Sequence, residues 1–447
     1  MKKRNIIVVG TGFAAAAAVY ILLKKKIKPT IVDANSNNFN LVNKDKNKLP
    51  LGIKKNYTFS PLIDFEKNDT ELLASESFGG LSRVWGGAIN KLHFNESKKW
   101  PISLKILEKY YKIVDNFFLH CGNEDNYSKE FNLKKPDLKI KNNLKNYFVQ
   151  NNDKRILIGN SRLAVNKNNK IFSLNSYFLK LIKQKKIEII KNFEVLTIQE
   201  KKDKIIISSK NNTLYCNKLF IACGPMSAAK IILNSFESIK NVKLKESSLV
   251  SSLWFSTKSI NIYHSNLLCD YFLTKFTKPY FSSQIYIFKD KIIDKIFNKK
   301  NIIYNLLKKF PNSLKSRFLI FLTYIDDKNS HNITIYRNNK KFKILLKKKD
   351  LSAYYLIKKM INVFLKKKLF HIFDIKKNFG YGYHFGSSFP MSNKKSLKTS
   401  DNLGRILNQK NIHFIDASVL PSIPISSITY TVMANASRIV DLSLNKK

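Results

Sequence analysis

Residues 5–15 constrain the fold more than any other stretch of this 447-residue chain. Asn5-Ile6-Ile7-Val8-Val9 is a short β-branched strand that runs straight into Gly10-Thr11-Gly12-Phe13-Ala14-Ala15. A strand that exits through two glycines into a helix is the pattern that wraps a dinucleotide pyrophosphate. Gly10 permits the tight turn, Gly12 lets the backbone approach the phosphates, and the small Ala15 lets helix and strand pack closely. The helix N-terminus then offers free N–H groups and a partial positive charge to the anion. Two other readings compete for these residues. Lys2, Lys3 and Arg4 ahead of an apolar run fit a signal peptide cleaved within Ala14 to Ala18, or a short membrane span. Against a span, Gly10 to Gly12 interrupt the apolar stretch from Ile6 to Leu23, which is barely long enough. Against both, the pattern continues: Lys24 to Lys26 close a helix, and Lys28-Pro29-Thr30-Ile31-Val32-Asp33 is a second strand ending on a carboxylate. Asp33 follows Gly10 by 23 residues, the range in which an acid meets the ribose hydroxyls.

Composition matters mainly through charge. A formal net charge of +49 suggests nucleic acid or an anionic membrane as a partner. Only eight of the 80 basic residues are arginine, however, and lysines are spread along the whole chain beside abundant Asn, Ile and Phe. Nucleic-acid readers rely on arginine forks and a clustered stripe, so compositional drift is the better account and no nucleic-acid partner is expected. Some attraction to a membrane surface stays open. Cys121, Cys216, Cys223 and Cys269 show no metal-ligand or disulfide spacing, so no metal is expected and a reducing, cytoplasmic compartment fits. Residues 291–310 read as a basic amphipathic helix, either packed on the surface or docked peripherally on anionic lipid.

Further along, residues 35–56 are polar and read as loop. Ser77-Phe78-Gly79-Gly80-Leu81-Ser82-Arg83-Val84-Trp85-Gly86-Gly87-Ala88 places four glycines within nine positions, so its backbone must pass close to something bulky. Trp100-Pro101-Ile102-Ser103 caps a helix over 104–118. A strand pair is expected around 187–207, broken by the charged turn Glu200 to Lys204. Lys218 to Cys223 is a buried strand ending at Gly224 and feeding a helix over 227–234, the next parallel strand of a nucleotide domain. Between about 248 and 382 the alternating segments 283–288, 318–324, 332–336 and 342–346 suggest an inserted antiparallel sheet, with helices at 291–310 and 350–370.

This ordered set resembles the glucose–methanol–choline (GMC) family of FAD-dependent oxidoreductases. The matching pieces are Gly10-Thr11-Gly12 with Asp33, the loop from Gly79 to Gly87, and Phe220 to Gly224. At the C-terminal end they are Tyr383-His384-Phe385-Gly386-Ser387, Asn402-Leu403-Gly404-Arg405-Ile406 and Ile415-Asp416-Ala417-Ser418-Val419-Leu420-Pro421. The tryptophan-bearing loop looks more like uncharacterised bacterial members than like sugar or sterol oxidases. The resemblance implies an α/β fold: a discontinuous, Rossmann-like FAD-binding domain (1–95, 156–240 and 396–447) with an inserted α+β substrate domain (96–155 and 241–395) built on an antiparallel sheet.

It also implies FAD held by Gly10, Gly12, Ala15, Asp33, Gly79, Gly80, Ser82, Gly86, Gly87, Val195, Gly224, Asp416, Ala417 and Thr429. His384 matches the histidine that takes the hydroxyl proton while hydride passes to the flavin, and imidazole suits that task near neutral pH. The other histidines read as structural or surface residues, with His413 packed in a strand. Thr429 opens the last helix, its N-terminus aimed at the flavin ring, with Ser426 or Ser427 a natural N-cap. There is one departure. Family members usually carry a second His or Asn just before this helix, where this chain has Ile425, Ser426, Ser427 and Ile428. Ser426 and Ser427 are the residues left to hydrogen-bond the substrate.

The expected activity is therefore oxidation of a small-molecule alcohol. Nothing identifies oxygen as the acceptor, so a dehydrogenase passing electrons to a quinone or protein is preferred to an oxidase. A non-redox flavoenzyme (an isomerase) and a nucleotide-binding protein of reduced activity are the alternatives. No residue pattern speaks to oligomeric state.

Overall fold

The computed structural model describes residues 4–34, 63–65, 75, 77–98, 100–117, 156–160, 162–165, 171–257, 269–275, 278–287, 302–338, 341–347, 352–365, 369–376 and 383–445. The expected loop at 35–56, the first part of the amphipathic helix (291–301), Cys121, His120 and His264 lie outside them.

Five parallel strands carry the first layer, in the order Glu188–Ile190, Thr30–Val32, Arg4–Val9, Thr213–Ile221 and Ile412–Phe414. The segment that also fitted an export signal is thus the central strand of the sheet's parallel part, and its four residues Ile6 to Val9 are buried. A sheet covered on both faces needs such continuous apolar runs. The long strand Thr213–Ile221 serves two neighbours on its outer edge. Its first half pairs antiparallel with the hairpin Thr197–Lys201 and Lys204–Ser208, and its last three residues pair with Ile412–Phe414. Helix Phe13–Lys24 lies against the sheet through Ala14 to Ala18, which are all buried, and packs against the last helix, Thr429–Leu444. Alanine keeps the helices close because it carries nothing beyond Cβ. Lys25 then ties the two helix ends through Asp441 at 2.8 Å.

The middle of the chain forms two sheets, where the alternation of residues 283–346 suggested one. Six antiparallel strands run in the order Leu369–Lys376, Leu249–Ser256, Phe318–Ile325, Phe281–Ile287, Tyr271–Lys275 and Ile156–Asn160. Strand Ile156–Asn160 therefore joins this sheet through its register with Tyr271–Lys275, on the other side of the boundary expected at residue 156. A five-stranded sheet takes Phe385–Gly386, Asn241–Glu246, Asn332–Asn338, Lys341–Lys347 and Ile63–Phe65. Its Val242, Leu244, Ile333, Ile335 and Ile344 share one core with the nucleotide layer, so 241–246 and 332–347 pack there rather than with a separate substrate unit. Helices Ile302–Lys309 and Ser352–Leu365 flank the six-stranded sheet. Among the described residues no helix is long and apolar enough to cross a membrane.

Candidate functional site

Register decides where the site lies. Val9 pairs with Val32 and with Ile221, and Ile221 pairs with Phe414, so four parallel strands end level with one another. The residues just past these strands all reach the same edge: Gly10, Asp33, Ala222 to Gly224, and Asp416. Ligands of open α/β sheets bind at this carboxyl edge. A cavity of about 310 Å³ opens there and extends to the six-stranded sheet.

At the nucleotide end, Gly10 has φ of +99°, and a Cβ on it would sit 2.6 Å from the carbonyl oxygen of Ala222. Only glycine fits that turn. Thr11 donates its hydroxyl proton to Asp33 (2.6 Å) and accepts the N–H of Gly79 (2.8 Å), which pins the glycine-rich loop to the first turn. Gly12 and Gly86 are different. Both line the cavity with an ordinary φ, and an added Cβ would meet protein only at 3.9 Å for Gly12 and nowhere within 4 Å for Gly86. Neither backbone conformation nor protein packing explains their missing side chains. Three helices, starting at Phe13, Pro225 and Thr429, present N-termini without a side-chain cap to this one cavity. The N–H groups and positive dipole ends of such helix starts favour bound negative charge.

Of the residues expected to hold FAD, Asp33, Gly80, Ser82, Val195, Gly224, Ala417 and Thr429 also line the cavity. Ala15, Gly79 and Gly87 do not. Ala15 is sealed in the helix–sheet contact, which is the packing role of the third small position. Gly79 turns away because its φ of +87° and the Asn175 side chain, with which any added Cβ would collide, commit it to loop packing. Gly87, at φ +73°, instead gives its carbonyl to Ala164 N–H. Asp416 does line the cavity, yet its carboxylate is engaged with protein: Oδ2 accepts Gly224 N–H at 2.7 Å and Oδ1 accepts Ser418 N–H at 2.9 Å. Burial raises its pKa, and these hydrogen bonds oppose the rise. Asp416 thus couples the C-terminal segment to the turn after Ile221.

His384 lies at the other end of the cavity, where strand Phe385–Gly386 begins. Its ring stacks on Tyr324 with centroids 4.5 Å apart and planes 16° from parallel. Nδ1 is buried without a hydrogen-bond partner, and burial pushes the imidazole down to about 4. The ring is therefore neutral and proton-accepting at neutral pH, but as a weaker base than a free histidine. Gly386 admits this arrangement because a Cβ there would collide with the carbonyl oxygen of Ala417. His413, expected to be packed, is buried on Phe220 and bonds Leu403 O at 2.9 Å.

The wall facing His384 comes from residues that sequence reasoning missed: Gln284, Tyr286, Leu322 and Tyr324. They alternate along two strands in which Gln284 pairs with Leu322, so all four share one sheet face. The alternation was legible in the sequence, but not which face meets the cavity. Tyr286 donates to Gln284 Oε1 at 2.9 Å, leaving the amide nitrogen as the donor of that pair. Of the two serines, Ser427 lines the cavity and donates its hydroxyl to Ala88 O at 2.6 Å. Ser426 is buried, unpartnered and off the cavity lining. Neither caps the last helix, because Ile428 occupies the N-cap position. Asn435 is engaged with Arg438 inside the core. No group of three or more metal-ligating side chains occurs among the described residues.

Comparison with known proteins bears on this geometry. Residues 366–436 match the GMC oxidoreductase family in its C-terminal region. Among solved structures, the crystal structure of pyridoxine 4-oxidase from Mesorbium loti superposes with a TM-score of 0.62 at 10% identity, covering 100% of both chains. That likeness concerns the fold. No curated protein matches the chain in sequence.

Proposed function

We propose, from the match of residues 366–436 to the GMC oxidoreductase family, that this chain oxidises the CH–OH group of a small alcohol, with FAD in the cavity and His384 taking the hydroxyl proton. The observation that carries this reading is the meeting of a dinucleotide-type turn and a neutral, half-buried imidazole on one cavity. The residues fit FAD. Gly12 and Gly86 leave room that no protein atom fills, and three helix starts without side-chain caps favour a pyrophosphate and the electron-rich side of a ring. Gly10, Gly12 and Asp33 would hold the nucleotide half, and Val195, Gly224, Ala417 and Thr429 the remainder. When bound, FAD supplies the hydride acceptor.

The chain's own residues supply the rest. Nδ1 of His384 is sealed inside the protein, which leaves Nε2 for the substrate proton. Stacking on Tyr324 fixes the plane of the ring, so the nitrogen is aimed before substrate arrives. Ser427 donates its hydroxyl hydrogen bond to Ala88 O and offers the substrate only lone pairs. Ile428, on the cavity wall, adds no polar group beside His384. Tyr286, Tyr324, Leu322 and Gln284 provide an uncharged, largely aromatic wall suited to a neutral, partly apolar alcohol.

The test is to load the protein with FAD, add alcohols anaerobically and follow bleaching of the flavin absorbance. His384→Ala should keep FAD and lose roughly two orders of magnitude in bleaching rate. An equal rate in the variant would remove His384 as the base, and a protein that takes up no FAD would end the cofactor assignment. Re-oxidation of the bleached protein by air, compared with a quinone, then assigns the acceptor.

A further inference from the structure

Gln284 and Tyr324 line the cavity from one face of the six-stranded sheet. Gln284 pairs with Leu322, so Tyr324 is its diagonal neighbour, about 7–8 Å away across the two strands. Both carry hydrogen-bond donors that the protein does not use. The Gln284 oxygen is engaged, because the Tyr286 hydroxyl donates to Oε1 at 2.9 Å, but the amide nitrogen donates to no described residue. Tyr324 is fixed by its stack on His384, and its hydroxyl likewise bonds to no described residue. The bond from Tyr286 sets the orientation of the amide: Oε1 faces the phenol, and the NH2 end is the one left to a ligand. Gln284 is half-buried beside Leu322, Tyr286 and Tyr324. Such neighbours desolvate a donor, so an acceptor that meets it there is held more strongly than in water.

Charge limits what that acceptor can be. Among the described residues of the cavity lining the basic side chain is Lys230, and it is ion-paired with Glu194 at 2.9 Å. A carboxylate or phosphate on the substrate would have to leave water for neutral donors alone, which is costly. Neutral donors without a cation instead select a neutral acceptor such as a carbonyl oxygen.

We infer that Gln284, with Tyr324 beside it, determines specificity at this site and selects alcohols that carry a second, neutral hydrogen-bond acceptor. This rests on the reading of the cavity as an alcohol-oxidising site. His384 meets the carbinol, Tyr324 stacks on His384, and Gln284 lies one diagonal step beyond. The acceptor is therefore placed across about the width of an aromatic ring from the carbinol carbon, and not next to it.

Two probes test this, 4-acetylbenzyl alcohol and 4-ethylbenzyl alcohol, which are close in size and shape and differ in a carbonyl oxygen. Their binding is measured by calorimetry on the FAD-loaded His384→Ala protein, where turnover is suppressed. The acetyl compound should bind about fivefold more tightly or better. Gln284→Glu, added to that protein, keeps the acceptor that Tyr286 needs and removes the donor. Gln284→Leu with Tyr286→Phe removes both partners without stranding either. Each should abolish the preference while the thermal melt and FAD content stay as in the parent, and Tyr324→Phe should reduce it about twofold. No preference in the parent, a preference that survives both Gln284 variants, or binding of neither compound overturns the proposal. Flavin bleaching by the same alcohols, with His384 in place, is scored separately. A binding preference without bleaching refutes alcohol oxidation and leaves the acceptor site standing; bleaching in which Gln284→Glu keeps the acetyl compound's advantage refutes the acceptor site alone.

Discussion

Gly12→Ala separates the binding role of the first turn from its folding role. Gly12 has φ of −75° and ψ of −175°, which alanine adopts without strain. The added methyl would meet protein only at Ala222 O, 3.9 Å away, an ordinary contact. Alanine restricts the unfolded chain, a gain of about 0.4–1 kcal/mol, and is a poorer helix N-cap than glycine, a loss of about 0.5–1 kcal/mol. The two offset, so the apo protein should melt within about 2–3 °C of wild type. The same methyl points into the space assigned to the pyrophosphate. FAD affinity should fall at least 100-fold, about 2.8 kcal/mol, which titration of apo protein with FAD measures directly. Gly10→Ala is the contrasting control. Its φ of +99° and a Cβ 2.6 Å from a backbone oxygen mean the fold itself suffers, by about 2–4 kcal/mol. A Gly12→Ala protein that binds FAD as wild type does would refute the assignment of the pyrophosphate to this turn.

Acid should destabilise the chain through two histidines that the fold desolvates. His384 and His413 are held at about 4 by burial, below the ordinary 6.5, so the unfolded chain binds more protons in that window. Stability is then complete above about pH 6.5 and is lost as pH falls toward 4, by at most about 3 kcal/mol per histidine; denaturant midpoints from pH 4 to 8 would read it, and a flat profile would contradict the burial argument. The same depressed value predicts that kcat/KM shows no break near 6.5, only an acid limb closer to 4. Asp416→Asn replaces an acceptor of two backbone N–H groups by an amide whose nitrogen must face one of them. It should cost about 2–3 kcal/mol in urea unfolding, and an unchanged midpoint would show that those bonds carry little of the coupling between the C-terminal segment and the turn at Gly224.

The amino-acid sequence alone determined the parts of this protein that depend on local backbone chemistry. A strand, two glycines and an alanine-rich helix start can make few things, and Gly10, Gly12 and Asp33 all reach the cavity. Tyr383 to Ser387 and Ile415 to Pro421 were legible through their resemblance to a known family, and the structure adds that a Cβ on Gly386 would collide with Ala417 O. Tertiary structure decided what depends on partners distant in the chain. Gly79 and Gly80 are neighbours in one loop, yet Asn175, nearly a hundred residues away, commits Gly79 to packing while Gly80 faces the cavity. Alternation showed that Gln284 and Tyr286 share a face, as do Leu322 and Tyr324. It did not show that residues 332–347 leave that sheet for another, or that Ile156–Asn160 joins it. A strand's own residues set the period of its side chains, but its register and neighbours follow from hydrogen bonds and core volume contributed by the rest of the chain.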